Sequence, residues 1–170
     1  IIVEVREDFI LPDKKGYVAA LGVDYVVDAI DTVSGKITLI EQAYENGIPV
    51  ISVMGAGNKL YPERLQVTTI EKTSVCPLAK VMRKELKKRH IHGIKVVFST
   101  EEPEIAKTSA PPGETKTGPG SISFVPSAAG LLAAGAVIRD LMGIKKTYNN
   151  IIKRSFKMKK AIIETRNGSI

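Results

Sequence analysis

The chain has 170 residues, 44% hydrophobic and 25% charged, enough for one domain with a sizeable core and typical of a soluble globular protein. A single cysteine, Cys76, excludes an internal disulfide framework and any cysteine-only metal site. The net charge of +7 is localised: residues 145–170 hold eight Lys or Arg and one acid, Glu164, whereas residues 1–144 hold 17 of each sign. The tail is therefore expected either to meet phosphates, of RNA or of a membrane surface, or to be a solvated terminus.

Ile1 to Ile10 alternates apolar and polar residues around Val3 and Val5, which predicts a strand ended by Leu11-Pro12-Asp13. Glu4, Arg6, Glu7 and Asp8 interrupt this run, so it does not read as a signal peptide. A short helix or turn is expected over Asp13 to Leu21, closed by Gly22. Tyr25 to Ile30 (YVVDAI) reads as a parallel strand buried on both faces. From Thr32 to Asn46 the period becomes helical, with Ile37, Ile40 and Tyr44 on one face and Asn46-Gly47 as C-terminal cap. Ile48 to Val53 is the next strand, completing a βαβ unit that requires a parallel sheet.

Leu65 to Ile70 reads as a further short strand. Pro77 suits the first turn of a helix running to about Arg89, with Leu78, Val81, Met82 and Leu86 apolar and Lys80, Arg83, Lys84, Lys87 and Lys88 around them. Lys95 to Ser99 is a strand. Glu101 to Gly120, with four prolines and four Gly or Ser, is expected to be a mobile loop. Ile122 to Val125 is a brief strand, and Ser127 caps a helix from Ala128 to about Met142, ended by Gly143. The longest weakly polar stretch, Phe124 to Ile138, is 15 residues. A bilayer span needs roughly 20, so a buried helix and a cytoplasmic protein without a transmembrane segment are expected.

The segment Asp28-Ala29-Ile30-Asp31 lies at the C-terminal end of a parallel strand, the edge where α/β sheets bind ligands. An aspartate there can hold Mg²⁺ or shape a phosphate site beside a helix N-terminus. Asp31 acting only as a cap for the following helix is the alternative. His90 and His92 have no carboxylate or thiol in helical register, so a turn after the helix explains them better than a metal site. Gly55-Ala56-Gly57 and Gly118-Pro119-Gly120 lack the strand-to-helix setting of a dinucleotide fingerprint. Gly130, Ala133 and Ala134 make the last helix narrow enough to pack closely on the sheet or on a second subunit.

Several pieces occur together and in order: DYVVDAIDTVSGKITLIEQAYENGIPVISVMGAGNKLYP, RLQVTTIEKTSVCPLAKVMRKELKKR, GIKVVFSTEEP and SISFVPSAAGLLAAGAVIRDL. Over Val3 to Leu141 they resemble the ThiF/HesA-type adenylating enzymes, and especially the tRNA threonylcarbamoyladenosine dehydratases. The resemblance implies an α/β fold, the second half of a Rossmann-like parallel-sheet adenylation domain over residues 1–144, with a C-terminal extension, the basic tail, over 145–170. It implies ATP and Mg²⁺ as cofactors, a tRNA substrate, a homodimer and an optional sulfur-transfer partner. The reaction implied is an ATP-dependent cyclisation of threonylcarbamoyladenosine through an acyl-adenylate. The family's acid facing ATP and Mg²⁺ matches Asp31, and its basic residue five positions on matches Lys36, for which an exposed helix lysine is the alternative. The family's glycine-rich phosphate loop, ribose-binding acid and ATP-contacting Arg and Lys are expected upstream of this segment. No CxxC zinc pairs accompany Cys76, which favours the dehydratase branch over the sulfur-transfer activators. Cys76 precedes a cationic helix, where a nucleophilic thiol and a packed one are both conceivable. Arg83, Lys84, Lys87 and Lys88 are candidates for tracking a tRNA backbone, against a merely solvated face. A non-catalytic fragment of the fold and a nucleic-acid-binding module driven by the tail are the rival readings.

Overall fold

The computed structural model describes residues 2–103, 120–144 and 162–163. The short helix α1 (Tyr17–Leu21) is closed by Gly22 in the left-handed conformation (φ 59°), and leads to β1 (Val26–Asp28). Next come α2 (Val33–Glu45), β2 (Val50–Val53), β3 (Leu65–Thr69), α3 (Pro77–Lys88), β4 (Lys95–Ser99), α4 (Phe124–Leu141) and the two-residue β5 (Ile162–Ile163). Single 3₁₀ turns flank β3 at Pro62–Arg64 and Ile70–Lys72.

The sheet order is β3-β4-β2-β1-β5. β1 pairs in parallel with β2 (Val26 opposite Val50) and with β5, and β2 pairs in parallel with β4. β3 runs antiparallel to β4, with Leu65 opposite Ser99 and Thr69 opposite Lys95. It forms an antiparallel margin on an otherwise parallel sheet, a common arrangement in α/β folds.

Alternation along the strands sends successive side chains to opposite faces. Val26, Val50, Val96 and Phe98 join Ile37, Ile40, Ala43, Ala79, Met82 and Leu86, so α2 and α3 cover one face together with α1. Tyr25, Ile51 and Val97 join Ala129, Ala133, Ala136 and Val137 of α4 on the other. Covered on both sides, the central strands are apolar except near their ends, which is why their sequences read as near-continuous runs. The buried Tyr25 hydroxyl donates to Asp140 Oδ2 at 2.7 Å, and Lys95 pairs with the same carboxylate, tying the end of α4 to the strands. Burial and that hydrogen bond push the Tyr25 phenol well above its ordinary pKa.

Five local expectations change. Residues 2–10 form no strand: Ile2, Val3 and Val5 are exposed and only Ile10 is buried. The expected strand at Ile122–Val125 is instead the entry to α4, which begins at Phe124, and Pro126 is tolerated in that first turn. Ser127 therefore does not cap; its hydroxyl donates to the Ser123 carbonyl at 2.6 Å. On α3, Ala79 takes the core position expected of Val81, which is exposed, and on α2 Tyr44 is half exposed. The loop expected over Glu101–Gly120 lies outside the described residues from 104 to 119, and the basic tail lies outside them except for Ile162–Ile163. Among the described residues, α4 is the one helix long and apolar enough to cross a membrane.

Candidate active site

The C-terminal ends of β1, β2 and β4 converge on one edge of the sheet. β1 delivers Asp28 there, fully buried. The chain then turns through Ile30 and Asp31 into α2, whose N-cap is Thr32, without a side-chain capping bond. The first turn of α2 sits hard against its surroundings. A Cβ at Gly35 would stand 2.8 Å from the Ile10 carbonyl oxygen and 2.8 Å from Ile30 Cδ1, so glycine is what allows this approach.

The next residue, Lys36, points inward. Its ammonium is 1% exposed and donates to Asp28 Oδ1 and Oδ2, both at 3.2 Å, and to the Val53 carbonyl at 2.7 Å. Ser52 Oγ donates to Asp28 Oδ2 at 2.5 Å, and the Ile30 N–H donates to Asp28 Oδ1 at 3.2 Å. Each Asp28 oxygen thus accepts two hydrogen bonds, filling the roughly four acceptor sites of a carboxylate. A buried ion pair holds only when its remaining hydrogen-bonding capacity is met in this way. Among the described residues no buried side-chain nitrogen or oxygen is left without a partner.

Asp31 differs from Asp28 in every respect. It is exposed on the turn and makes no hydrogen bond or ion pair with the described residues. The helix-cap reading of Asp31 fails on position, since Thr32 occupies the N-cap. A free carboxylate at this edge suits a divalent cation that also binds phosphate oxygens, because such a cation needs few protein ligands. Lys36 departs from the exposed-lysine reading: it is buried, and its ammonium donates to Asp28 and Val53.

The loop after β2 forms the wall of the edge. Lys59 is buried and donates to the Glu101 carbonyl at 2.5 Å, while the Glu101 carboxylate accepts the N–H groups of Leu60 (2.9 Å) and Tyr61 (3.1 Å). Asn58, with φ 54°, donates its N–H to the Gly120 carbonyl at 2.7 Å. Sequence reasoning marked the Asp28–Asp31 segment but gave Asp28 no role apart from Asp31, and it passed over Ser52, Lys59 and Glu101 as site residues. Asp28 and Lys36 are eight residues apart, on a strand end and a helix, a spacing that no single-element periodicity detects.

Cys76 is buried at the N-cap of α3, its sulfur packed under Gly55. It is not open to a substrate. Arg83 is spent internally, donating to the Thr73 carbonyl at 2.8 Å and to the Thr73 hydroxyl. Lys88 pairs with Glu85 at 2.8 Å, whereas Lys84 and Lys87 stay exposed without a partner among the described residues. His90 and His92 are exposed, and His92 lies 4.0 Å from Glu71. Among the described residues no three His, Cys, Asp or Glu side chains gather as a metal cluster.

No protein-family model matches the chain. It is 43% identical over 131 residues to the tRNA threonylcarbamoyladenosine dehydratase of Bacillus subtilis, covering 71% of this chain and 52% of that protein. It is 32% identical over 160 residues to the Escherichia coli enzyme of the same name, covering 82% and 60%. The solved structure of the E. coli dehydratase in complex with AMP superposes with a TM-score of 0.72 at 32% identity, over 83% of this chain and 57% of that one. The complex of the same enzyme with ATP gives 0.70. The chain thus spans between half and three fifths of the length of these relatives. The fold is the Rossmann-like α/β fold of those structures, with helices on both faces of a largely parallel sheet. Over the span it covers, the chain is similar in sequence and fold to the tRNA threonylcarbamoyladenosine dehydratases.

Proposed function

We propose that this chain forms part of an enzyme that uses ATP to cyclise threonylcarbamoyladenosine in tRNA with loss of water. The observation that carries the reading is Asp31: an exposed carboxylate, unpaired among the described residues, at the C-terminal edge of a sheet whose solved relative binds ATP. In this reading the substrate carboxylate is activated as an acyl-adenylate and then attacked intramolecularly. Mg²⁺, when bound, offsets phosphate charge, and Asp31 is the residue of this chain that would hold it. The turn at 28–32 fixes where that carboxylate stands, and the Lys59–Glu101 clamp holds the neighbouring wall.

Lys84 and Lys87, exposed and without a partner among the described residues, are cations of α3 suited to the tRNA backbone, with the basic tail as a second contact. Arg83 and Lys88 have partners within the chain, Thr73 and Glu85, and are the weaker candidates for that role. The protein acts in the cytoplasm as a homodimer, with a sulfur-transfer protein as an optional partner. The outward face of α4 supports the dimer: Leu131 is 75% exposed, next to exposed Gly130 and Ala134 and half-exposed Phe124 and Ile138.

The test uses the whole gene product that contains this chain, with tRNA bearing threonylcarbamoyladenosine. ATP-dependent loss of one water from that nucleoside, read by mass spectrometry of the digested tRNA, is the expected result. Asp31→Asn should lower the rate at least about tenfold, since a lost metal-facing carboxylate commonly costs several kcal/mol and each 1.36 is a factor of ten. An unmodified nucleoside under all ATP and Mg²⁺ conditions would overturn the assignment.

A further inference from the structure

We infer that Asp28, Ser52 and Lys36 act as one positioning unit that sets the location of Asp31, and that none of the three touches the nucleotide. The inference rests on the proposed role of Asp31. Asp28 is fully buried and Lys36 is 1% exposed, so neither reaches a ligand at the sheet edge. Their contacts instead span three pieces of backbone. Asp28 accepts from the Ile30 N–H, the residue immediately before Asp31, and Lys36 is anchored to the end of β2 through the Val53 carbonyl. Ser52, on β2 opposite Asp28, closes the ring with its 2.5 Å bond to the carboxylate. The turn that presents Asp31 is thus held from β1, from β2 and from the first turns of α2 simultaneously. Among the described residues Asp31 has no side-chain partner, so there its position rests on this backbone. A catalytic carboxylate must be held to a fraction of an ångström, and a saturated buried network supplies that rigidity.

The test is a double-mutant cycle on ATP–pyrophosphate exchange by the whole gene product. It uses Ser52→Ala, a change too small to unfold the protein, and Asp31→Glu, which keeps the charge, displaces it by one methylene and leaves a measurable rate. Ser52→Ala alone should lower exchange about tenfold, the scale of one hydrogen bond to a charged group. It should also raise the Mg²⁺ concentration for half-maximal rate. In the Asp31→Glu background it should add little. Equal losses in both backgrounds would mean that Ser52 acts elsewhere and would overturn the positioning unit while leaving the role of Asp31 intact. An inert Asp31→Glu together with an inert Asp31→Asn would overturn the Asp31 reading itself, and this inference with it. Amide hydrogen exchange on this chain gives a readout that needs no activity. Ser52→Ala should speed exchange at Ile30 about tenfold and leave Ile51 and Val97 protected. Unchanged exchange at Ile30 would also overturn the proposal.

Discussion

At the scale of single residues, Asp28 and Lys36 show how context assigns a role that residue type leaves open. Two carboxylates three positions apart read alike in the sequence, but one is fully buried and saturated while the other is exposed and free. The sequence could place both at the strand end, because the apolar run YVVDAI ends there. It could not tell which points inward, since the partners of Asp28 come from β2 and α2. Removing one partner of a buried pair strands the other charge, at a cost of about 3–5 kcal/mol. Asp28→Asn and Lys36→Met should each lower stability by that amount in urea titrations, and the double variant should be more stable than Lys36→Met alone. Tyr25 provides a pH test. Its folded pKa is raised by burial first and then by the bond to Asp140, so the folded state holds the phenolic proton more tightly than the unfolded chain. The contribution is fully present below the unfolded pKa of about 10 and is lost as pH rises above it. Tyr25→Phe should therefore flatten the decline of stability between about pH 9 and 11, measured by denaturant unfolding at each pH.

At the scale of elements, helices with strong caps and strands buried on both faces were legible. Pro77 at the start of α3, Gly47 after α2 and Gly22 after α1 all stand where the sequence put them. The misread elements are those whose state depends on neighbours. The Ile2–Ile10 segment has the alternation of a strand, but alternation states only which faces differ and cannot supply a hydrogen-bonding partner. SISFVPSAAG fits either a short strand or a helix start, because an apolar run this short carries no period. Gly35 was unremarked in the sequence and is among the most constrained positions in the structure. A methyl group there meets the Ile10 backbone carbonyl, which cannot rotate away. Gly35→Ala should lower stability by about 1–3 kcal/mol despite the better helix propensity of alanine, a loss that thermal melting will register.

At the scale of the whole molecule, the layered α/β plan followed from three apolar runs separated by helical periods, and the sheet order and the antiparallel β3 did not. Direction in a sheet is set by how each connection returns, which local pattern does not encode. The charge argument also acts at this scale. Lys84 and Lys87 lie exposed on a helix where Arg83 and Lys88 have partners within the chain. If they meet tRNA phosphates, replacing both by Gln should reduce the slope of log affinity against log salt by about 1 to 2 and leave tRNA preference unchanged. Filter binding of the whole gene product across a salt series decides this, and an unchanged slope assigns them to solvent.

The Glu101 clamp has a consequence for how this sequence can drift. Its carboxylate grips the main-chain N–H groups of Leu60 and Tyr61, and the side chains of both residues are about half exposed. Any residue except proline offers the same N–H. Information at this junction is therefore one-sided: position 101 is fixed by chemistry, and positions 60 and 61 are nearly free. In a saturation library of the whole gene product scored for folded yield, Leu60 and Tyr61 should accept most replacements and reject proline. Position 101 should reject Gln and Asp as firmly as Ala, because only a carboxylate of that reach engages two amides.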